Sequence, residues 1–143
     1  HVFESGNLTF PVSLSYTATD AEFRNTFSSS FWGNVTSGDD IPDLPDSQLA
    51  LSVGVNSGNG WSGDLTFYSF GDTCSVASCA AGTKIDSHSE VDIVVRREIS
   101  ENVDAYLTVM NLTDEEDIVA RAPKNGARAE FPIAALVGIR WRF

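Results

Sequence analysis

Six stretches of the chain alternate between apolar residues and polar or small ones, and this period of two most constrains the fold. They are LTFPVSLSYTA (8–18), QLALSVGVN (48–56), WSGDLTFYSF (61–70), EVDIVVRR (90–97), NVDAYLTVMN (102–111) and PIAALVGIRWRF (132–143). Alternation of this kind is typical of β-strands whose two faces meet different surroundings. No stretch shows a helical period. The sequence therefore predicts an all-β chain of about six strands, the last continuing to Phe143.

The connections between these strands alternate in length. Tight turns are predicted at 4–7, 57–60 and 99–101, and long loops at 24–46, 71–87 and 113–131. In an antiparallel up-and-down sheet this order places every long loop at one end, as in transmembrane β-barrels with short periplasmic turns. Strands of about ten residues also match a tilted membrane crossing. We therefore predict an antiparallel up-and-down transmembrane β-barrel.

The two faces of the predicted strands differ in character. One is rich in Leu, Val, Ile, Phe and Trp, which suits lipid, and the other in Thr, Ser, Asn, Gln and Gly, which suits a polar interior. Aromatic residues near the strand ends are predicted to form interfacial girdles, namely Trp61, Trp141 and Phe143 at one end and Tyr16 and Phe70 at the other. The alternative is a soluble secreted β-sandwich binding module, whose apolar face points inward.

Six strands are too few for a closed membrane barrel, which has about eight or more. Open sheet edges are not tolerated in lipid. We therefore expect residues 1–143 to be one segment of a larger barrel that pairs with further strands. His1–Phe3 is expected to be the end of a preceding strand.

Charge and cysteine content narrow the class of protein. The net charge is −11, which argues against a nucleic-acid partner. Cys74 and Cys79 lack the second pair that a zinc site needs, and their spacing is not C-x-x-C. We predict a local disulfide within a loop and an oxidising compartment, with two reduced cysteines as the alternative.

Candidate catalytic and metal-binding residues are few. Ser87, His88 and Asp92 are close in sequence, but no nucleophile elbow accompanies them, so the chain is not predicted to be an enzyme. An acidic cluster in the first long loop is either a Ca²⁺ site or a solvated surface. Its members are Asp39, Asp40, Asp43 and Asp46.

Four stretches resemble the C-terminal end of TonB-dependent outer-membrane receptors, most closely the ferric-citrate-type subgroup. They are VSLSYTATDAEF (12–23), FWGNVTSGDDIPDLPDSQL (31–49), VMNLTDEEDIVARAPKNGARAEFP (109–132) and GIRWRF (138–143). The resemblance implies the C-terminal segment of a 22-strand-type barrel in the outer membrane of a Gram-negative bacterium. It implies import of a ferric chelate such as ferric citrate or another siderophore, with cobalamin or a glycan as the alternative cargo.

The resemblance also implies partners and site residues. The expected partners are the remaining barrel strands and the plug, the TonB complex through an N-terminal part outside this chain, lipid, lipopolysaccharide and the barrel-assembly machinery. No cofactor is expected, since the ferric chelate is the cargo. Gly138, Trp141 and Phe143 match the assembly signal. The ligand-facing loop candidates are Arg121, Lys124, Arg128, Asp39 and Asp40. The alternative is that the three basic residues only neutralise the charge of nearby acidic residues.

Overall fold

The computed structural model describes residues 1–121 and 126–143, so the predicted ligand candidate Lys124 lies outside the described residues. The described residues contain no helix that could cross a membrane. Their strands, in chain order, are β1 Val2–Ser5, β2 Leu8–Ala18, β3 Phe27–Ser29, β4 Gly33–Val35, β5 Ser47–Ser57, β6 Trp61–Phe70, β7 Thr73–Cys74, β8 Lys84–Ile85, β9 His88–Ser100, β10 Val103–Met110, β11 Ile118–Ala120, β12 Arg128–Ala129 and β13 Ala134–Trp141.

Seven strands form one antiparallel sheet in the order β1-β2-β5-β6-β9-β10-β13. Each long strand pairs with the next long strand along the chain, which is up-and-down topology. All six predicted strands are present, and the all-β antiparallel prediction is confirmed. The expected preceding strand is β1, which pairs with the start of β2.

The two ends of the sheet differ as predicted. At one end, which we name the turn end, tight connections at 6–7, 58–60 and 101–102 join neighbouring strands. At the other, the loop end, lie three long loops that we name L1 (19–46), L2 (71–87) and L3 (111–133). Each loop contains one short hairpin, β3–β4, β7–β8 and β11–β12 respectively.

The last strand is shorter than predicted. It ends at Trp141, which pairs with Val103, the first residue of β10. Beyond that point the partner strand has ended, and only the Arg142 N–H still donates to the Asn102 carbonyl, at 2.9 Å. The prediction that the strand continues to Phe143 was therefore wrong.

The strand register aligns the apolar positions predicted for the six long strands on one face, which we name the apolar face. One row across six strands consists of Val12, Val53, Leu65, Ile93, Val109 and Ala135. Phe70 was expected in an interfacial girdle, but its pairing with Gln48 and His88 places it on the opposite, polar face. There its ring stacks on His88 with centroids 5.1 Å apart.

The sheet does not bury its apolar face against other described parts of the chain. Val137, Ile139 and Leu14 are 82%, 70% and 68% exposed. The fully buried apolar side chains among the described residues all lie in L1 and L2, namely Val35, Val76, Ala77 and Ile85. The described residues therefore do not build the alternative β-sandwich, because no second sheet covers the apolar face.

Candidate functional site: the loop layer

L1 exposes an aromatic cluster on its hairpin. The rings of Phe23, Phe27 and Phe31 lie 5.3, 6.5 and 5.8 Å from the Trp32 ring. The Ser29 hydroxyl accepts hydrogen bonds from the Phe31 and Trp32 N–H groups, at 3.1 and 3.2 Å, which shapes the turn. Phe31 is 71% exposed. Sequence reasoning missed this cluster, although aromatic residues crowded into a polar loop were a usable signal.

L2 is folded by a disulfide between Cys74 and Cys79, whose Cα atoms are 5.3 Å apart. The six-residue ring that this bond closes contains Val76 and Ala77, both buried. The Ala77 N–H donates to the Trp32 carbonyl at 3.2 Å, and the Asp43 N–H donates to the Cys74 carbonyl at 2.8 Å. The disulfide ring is thus seated on L1, and the two loops share one small core.

L3 is organised by Asn111, which is 1% exposed. Its side-chain amide donates to the carbonyls of Glu115 and Phe131 at 2.9 and 2.8 Å, while its amide oxygen accepts from the Glu115 N–H at 3.1 Å. Its own N–H donates to the Asp92 carboxylate at 3.1 Å. The Asn111 side chain therefore joins both ends of L3, and the Asn111 backbone N–H links the loop to β9.

L2 and L3 meet at Arg121, whose Nε donates to the Lys84 carbonyl at 2.7 Å. These residues line a cavity of about 220 Å³ together with Asp86, Glu116 and Asp117. Lys84 also forms ion pairs with Asp72 at 3.0 Å and Asp86 at 3.4 Å. The hydrogen bond from Lys84 lowers the pKa of Asp72, so that carboxylate stays charged.

The structure does not gather the predicted ligand candidates into one cavity. Asp40 lines a cavity of about 310 Å³ between L1 and L2, whereas Arg121 lines the separate L2–L3 cavity. The Asp39 carboxylate accepts from the Thr36 N–H at 2.7 Å and closes a turn within L1. Arg128 is exposed on β12. Within the described ranges, no His, Cys, Asp and Glu side chains are grouped to hold a metal ion.

Glu130, at the end of L3, has a partly buried carboxyl group. Its Oε2 atom is buried and finds no hydrogen-bond partner among the described residues. Burial raises the pKa of Glu130, and the neighbouring charge of Asp117 adds to the increase. This carboxyl group therefore holds its proton more tightly than it would in an unfolded chain.

The polar face also carries a buried acid near the turn end, which sequence reasoning missed. The Asp104 side chain is 2% exposed, and its Oδ2 atom accepts from Arg96 at 2.6 Å and from Arg142 at 3.0 Å. Its Oδ1 atom has no partner among the described residues. Asp92 and His88, considered above as catalytic candidates, instead contact Asn111 and Phe70.

The predicted assembly residues have local contacts of their own. A Cβ atom on Gly138 would lie 2.3 Å from the Tyr106 ring, so the tyrosine occupies the space that a side chain would need. Trp141 and Phe143 stack on each other at the turn end, with ring centroids 6.0 Å apart. Tyr106 therefore covers Gly138 on the polar face, whereas Trp141 and Phe143 stay exposed at the end of the chain.

Comparison with solved structures gives similarity along nearly the whole chain. The siderophore receptor PiuA from Acinetobacter baumannii matches with a TM-score of 0.79 and 17% identity, over 96% of this chain and 20% of that one. The ferric-catecholate import receptor Fiu from K12 E. coli, in its closed form, matches with a TM-score of 0.74 and 20% identity, over 94% of this chain and 19% of that one.

A scan against family models and a search of curated proteins gave no match. The chain spans about one fifth of the length of the solved structures that it resembles. At this level of identity the likeness concerns the fold. The seven-stranded sheet and its loop layer therefore have the fold of part of a TonB-dependent receptor barrel.

Proposed function

We propose that this chain forms part of the barrel of a TonB-dependent receptor that imports a ferric chelate across the outer membrane of a Gram-negative bacterium. The observation that carries the proposal is the uncovered apolar face, because such a large apolar surface needs lipid or another partner in place of water. The polar face then lines the interior of the barrel. The matching receptors provide the fold in which this arrangement occurs.

The sidedness follows from the connections. Short turns face the periplasm and long loops face outward in barrels of this kind. The loop layer, with its aromatic cluster and its cavities, then forms part of the outer vestibule where a ligand is captured. The barrel acts as a frame, and the TonB complex acts through the plug of the receptor.

Ferric citrate is the cargo that the sequence resemblance favours. Arg121, Lys124 and Arg128 in L3 supply cations for an anionic chelate, because guanidinium groups pair well with carboxylates. Arg121 already donates one hydrogen bond to Lys84, which leaves its remaining N–H groups for such a contact.

A chelate with aromatic rings is the second candidate cargo, and the exposed aromatic cluster of L1 favours it. Phe31 is exposed beside Trp32, and aromatic rings gain free energy by stacking on one another. Arg24 lines a cavity of about 500 Å³ next to Phe23 and supplies a cation there, beside the acidic residues Asp20 and Glu22. Cobalamin or a glycan remains a further alternative.

The other proposed partners of the chain follow from its assignment to a membrane barrel. Further strands would pair with the free edges of β1 and β13, since unpaired edges are too costly in lipid. The barrel-assembly machinery would read the final strand through Gly138, Trp141 and Phe143. Lipopolysaccharide would surround the loop end.

Transport is tested by deleting the full gene and measuring uptake of radiolabelled iron under iron starvation. Ferric citrate and a ferric catecholate are supplied separately, and the gene is restored as wild type, as Phe31→Ala or as Arg121→Gln. Citrate uptake that depends on the gene and on Arg121 supports the first cargo. Catecholate uptake that depends on the gene and on Phe31 supports the second. Unchanged uptake of both would remove the iron-chelate proposal.

A further inference from the structure

One charged side chain lies on the apolar face of the seven sheet strands. This residue is Arg97 of β9, which pairs with Trp61 on one side and with Ala105 on the other. An arginine on the lipid face costs about 2–4 kcal/mol at the bilayer midplane but only about 0–1 kcal/mol near the interface. Arg97 lies opposite the first residue of β6, at the turn end, where that cost is smallest.

The arginine is held in place rather than free to move. Its guanidinium carbon lies 5.1 Å from the centroid of the Trp61 ring, in a cation–π contact. Its Nη1 atom donates to the carbonyl of Asn59 in the neighbouring turn. The side chain is thus fixed towards the turn end, with further N–H groups left to donate.

A shallow apolar groove of about 320 Å³ begins beside this arginine. It is lined by Val53, Val55, Trp61, Leu65, Ile93 and Val95, with Ser57, Ser62, Gly63 and Asp64 completing the lining. From Trp61 the groove extends along β6 to Leu65, which is about 13 Å at the usual rise of a strand. A cation therefore lies at the mouth of an elongated apolar groove on the membrane-facing surface.

Gly63 forms the floor of the groove, and nothing else in the structure requires a glycine there. A Cβ atom on Gly63 would meet only ordinary contacts, at 3.6 Å from Val55 and 3.7 Å from the Val94 carbonyl. The other glycines of the sheet strands differ, since a Cβ on Gly54 or Gly138 would lie 2.6 or 2.3 Å from a neighbouring side chain. A glycine inside a strand often marks the close approach of a ligand.

We propose that this groove binds one phospholipid of the periplasmic leaflet, with the lipid phosphate on Arg97 and an acyl chain over Gly63. A guanidinium group binds phosphate through paired charge-assisted hydrogen bonds. The apolar walls exclude water from the acyl chain. The Trp61 ring contacts Arg97, which binds the phosphate, and also lines the groove that takes the acyl chain. This inference rests on the proposed membrane location.

The test is native mass spectrometry of the full-length protein purified from outer membranes in detergent, with phosphatidylglycerol added. The wild type is expected to retain one phospholipid. Arg97→Gln is expected to weaken retention about tenfold, as for the loss of a charge-assisted hydrogen bond. Gly63→Leu fills the floor without a clash and is expected to weaken retention to a similar extent while leaving Arg97 in place.

Two matched variants serve as controls and are expected to retain lipid as the wild type does. Arg24→Gln removes an arginine from L1, and Ala135→Leu adds the same kind of side chain elsewhere on the apolar face. Equal retention by all variants would overturn the lipid site. Inorganic phosphate serves as the competitor. If it displaces phosphatidylglycerol, and if this phosphate binding is lost in Arg97→Gln, the lipid site is overturned in favour of a simple anion site.

The outcomes separate this inference from the proposed function. Iron uptake that persists while all variants retain lipid equally would overturn the lipid site alone. A protein that stays in the aqueous fraction without detergent would overturn the membrane location and the lipid site together.

Discussion

The sheet and the loop layer of this chain distribute their apolar residues in opposite ways. The seven strands carry most of the large apolar side chains yet leave them exposed or half-buried, whereas L1 and L2 bury Val35, Val76, Ala77 and Ile85. In a water-soluble domain the longest strands would form the core. Here the small loops contain an ordinary protein core, and the sheet is built to meet apolar material outside the chain.

The difference shows which forces stabilise each region. Continuous antiparallel hydrogen bonding stabilises the sheet, whose apolar face is not covered by other described residues. In the proposed membrane location, lipid would cover that face. Local devices stabilise the loop layer, namely the disulfide of L2, the Asn111 hydrogen bonds of L3 and the Arg121 contact between the two loops. The two regions should therefore respond differently to the same kind of substitution.

The largest expected effect is from a charge in the middle of the apolar face. Leu65→Arg should destabilise the folded barrel by about 2–4 kcal/mol, because the arginine would lie in the hydrocarbon interior. Thr66→Arg, one residue further on the polar face, should have a much smaller effect. Urea titration of the full-length protein in lipid vesicles measures both. Equal losses would contradict the assignment of the faces.

Loss of the buried acid at the turn end should come next. Asp104→Ala leaves Arg96 and Arg142 without their shared carboxylate and should lower the free energy of unfolding by about 2–3 kcal/mol. Glu98→Gln, on the neighbouring strand β9 and exposed, should change it little. The same urea titration gives the values. A neutral Asp104→Ala would mean that the arginines find other acceptors.

The disulfide should matter to the loop layer only. Replacing Cys74 and Cys79 together by serine removes a short covalent ring, which is worth about 2 kcal/mol by loop-closure entropy. Hydrogen exchange should accelerate at the Ala77 and Asp43 amides, which bond between L1 and L2, while strand amides such as that of Val53 stay protected. Acceleration throughout the sheet would show that the two regions are not independent.

The smallest expected effect is at Glu130, and it depends on pH. Because its pKa is raised in the folded state, the ionised carboxylate destabilises the fold, and stability is lost as pH rises through the folded pKa. Glu130→Gln should therefore stabilise L3 by about 1 kcal/mol at neutral pH. The gain should vanish below the unfolded pKa. Hydrogen exchange of the Glu130 amide at neutral pH and below the unfolded pKa measures this stabilisation. Stabilisation at low pH alone would contradict the direction of the pKa shift.

The strands were predictable from the sequence because their alternation is a local signal. The period of two placed every strand of the sheet except β1 and identified the apolar face, and the connection lengths identified the loop end. The prediction failed where pairing matters more than pattern. The final strand ends at Trp141 because β10 offers no partner beyond Val103, and Phe70 lies on the polar face because the register requires it.

The candidate site was less predictable, because it depends on contacts between distant parts of the chain. Charge and position in the long loops selected Arg121 and Asp40, but the folding of the loops places them in separate cavities. Asn111 lies within the stretch 109–132 that carries part of the family resemblance. Its hydrogen bond to the Phe131 carbonyl across L3, however, could not be read from the sequence. Arg97 had a readable signal, since it interrupts the apolar positions Val91, Ile93 and Val95.

The nearly unbroken register of the sheet has a consequence for how such a chain can vary over evolution. Side chains alternate between faces, so deleting one residue within β5 or β6 would send every later side chain of that strand to the wrong environment. Insertions in L1, L2 or L3 carry no such penalty. Descendants of one ancestral chain can therefore exchange loop segments while strand lengths stay constant, which accommodates low sequence identity on a shared backbone.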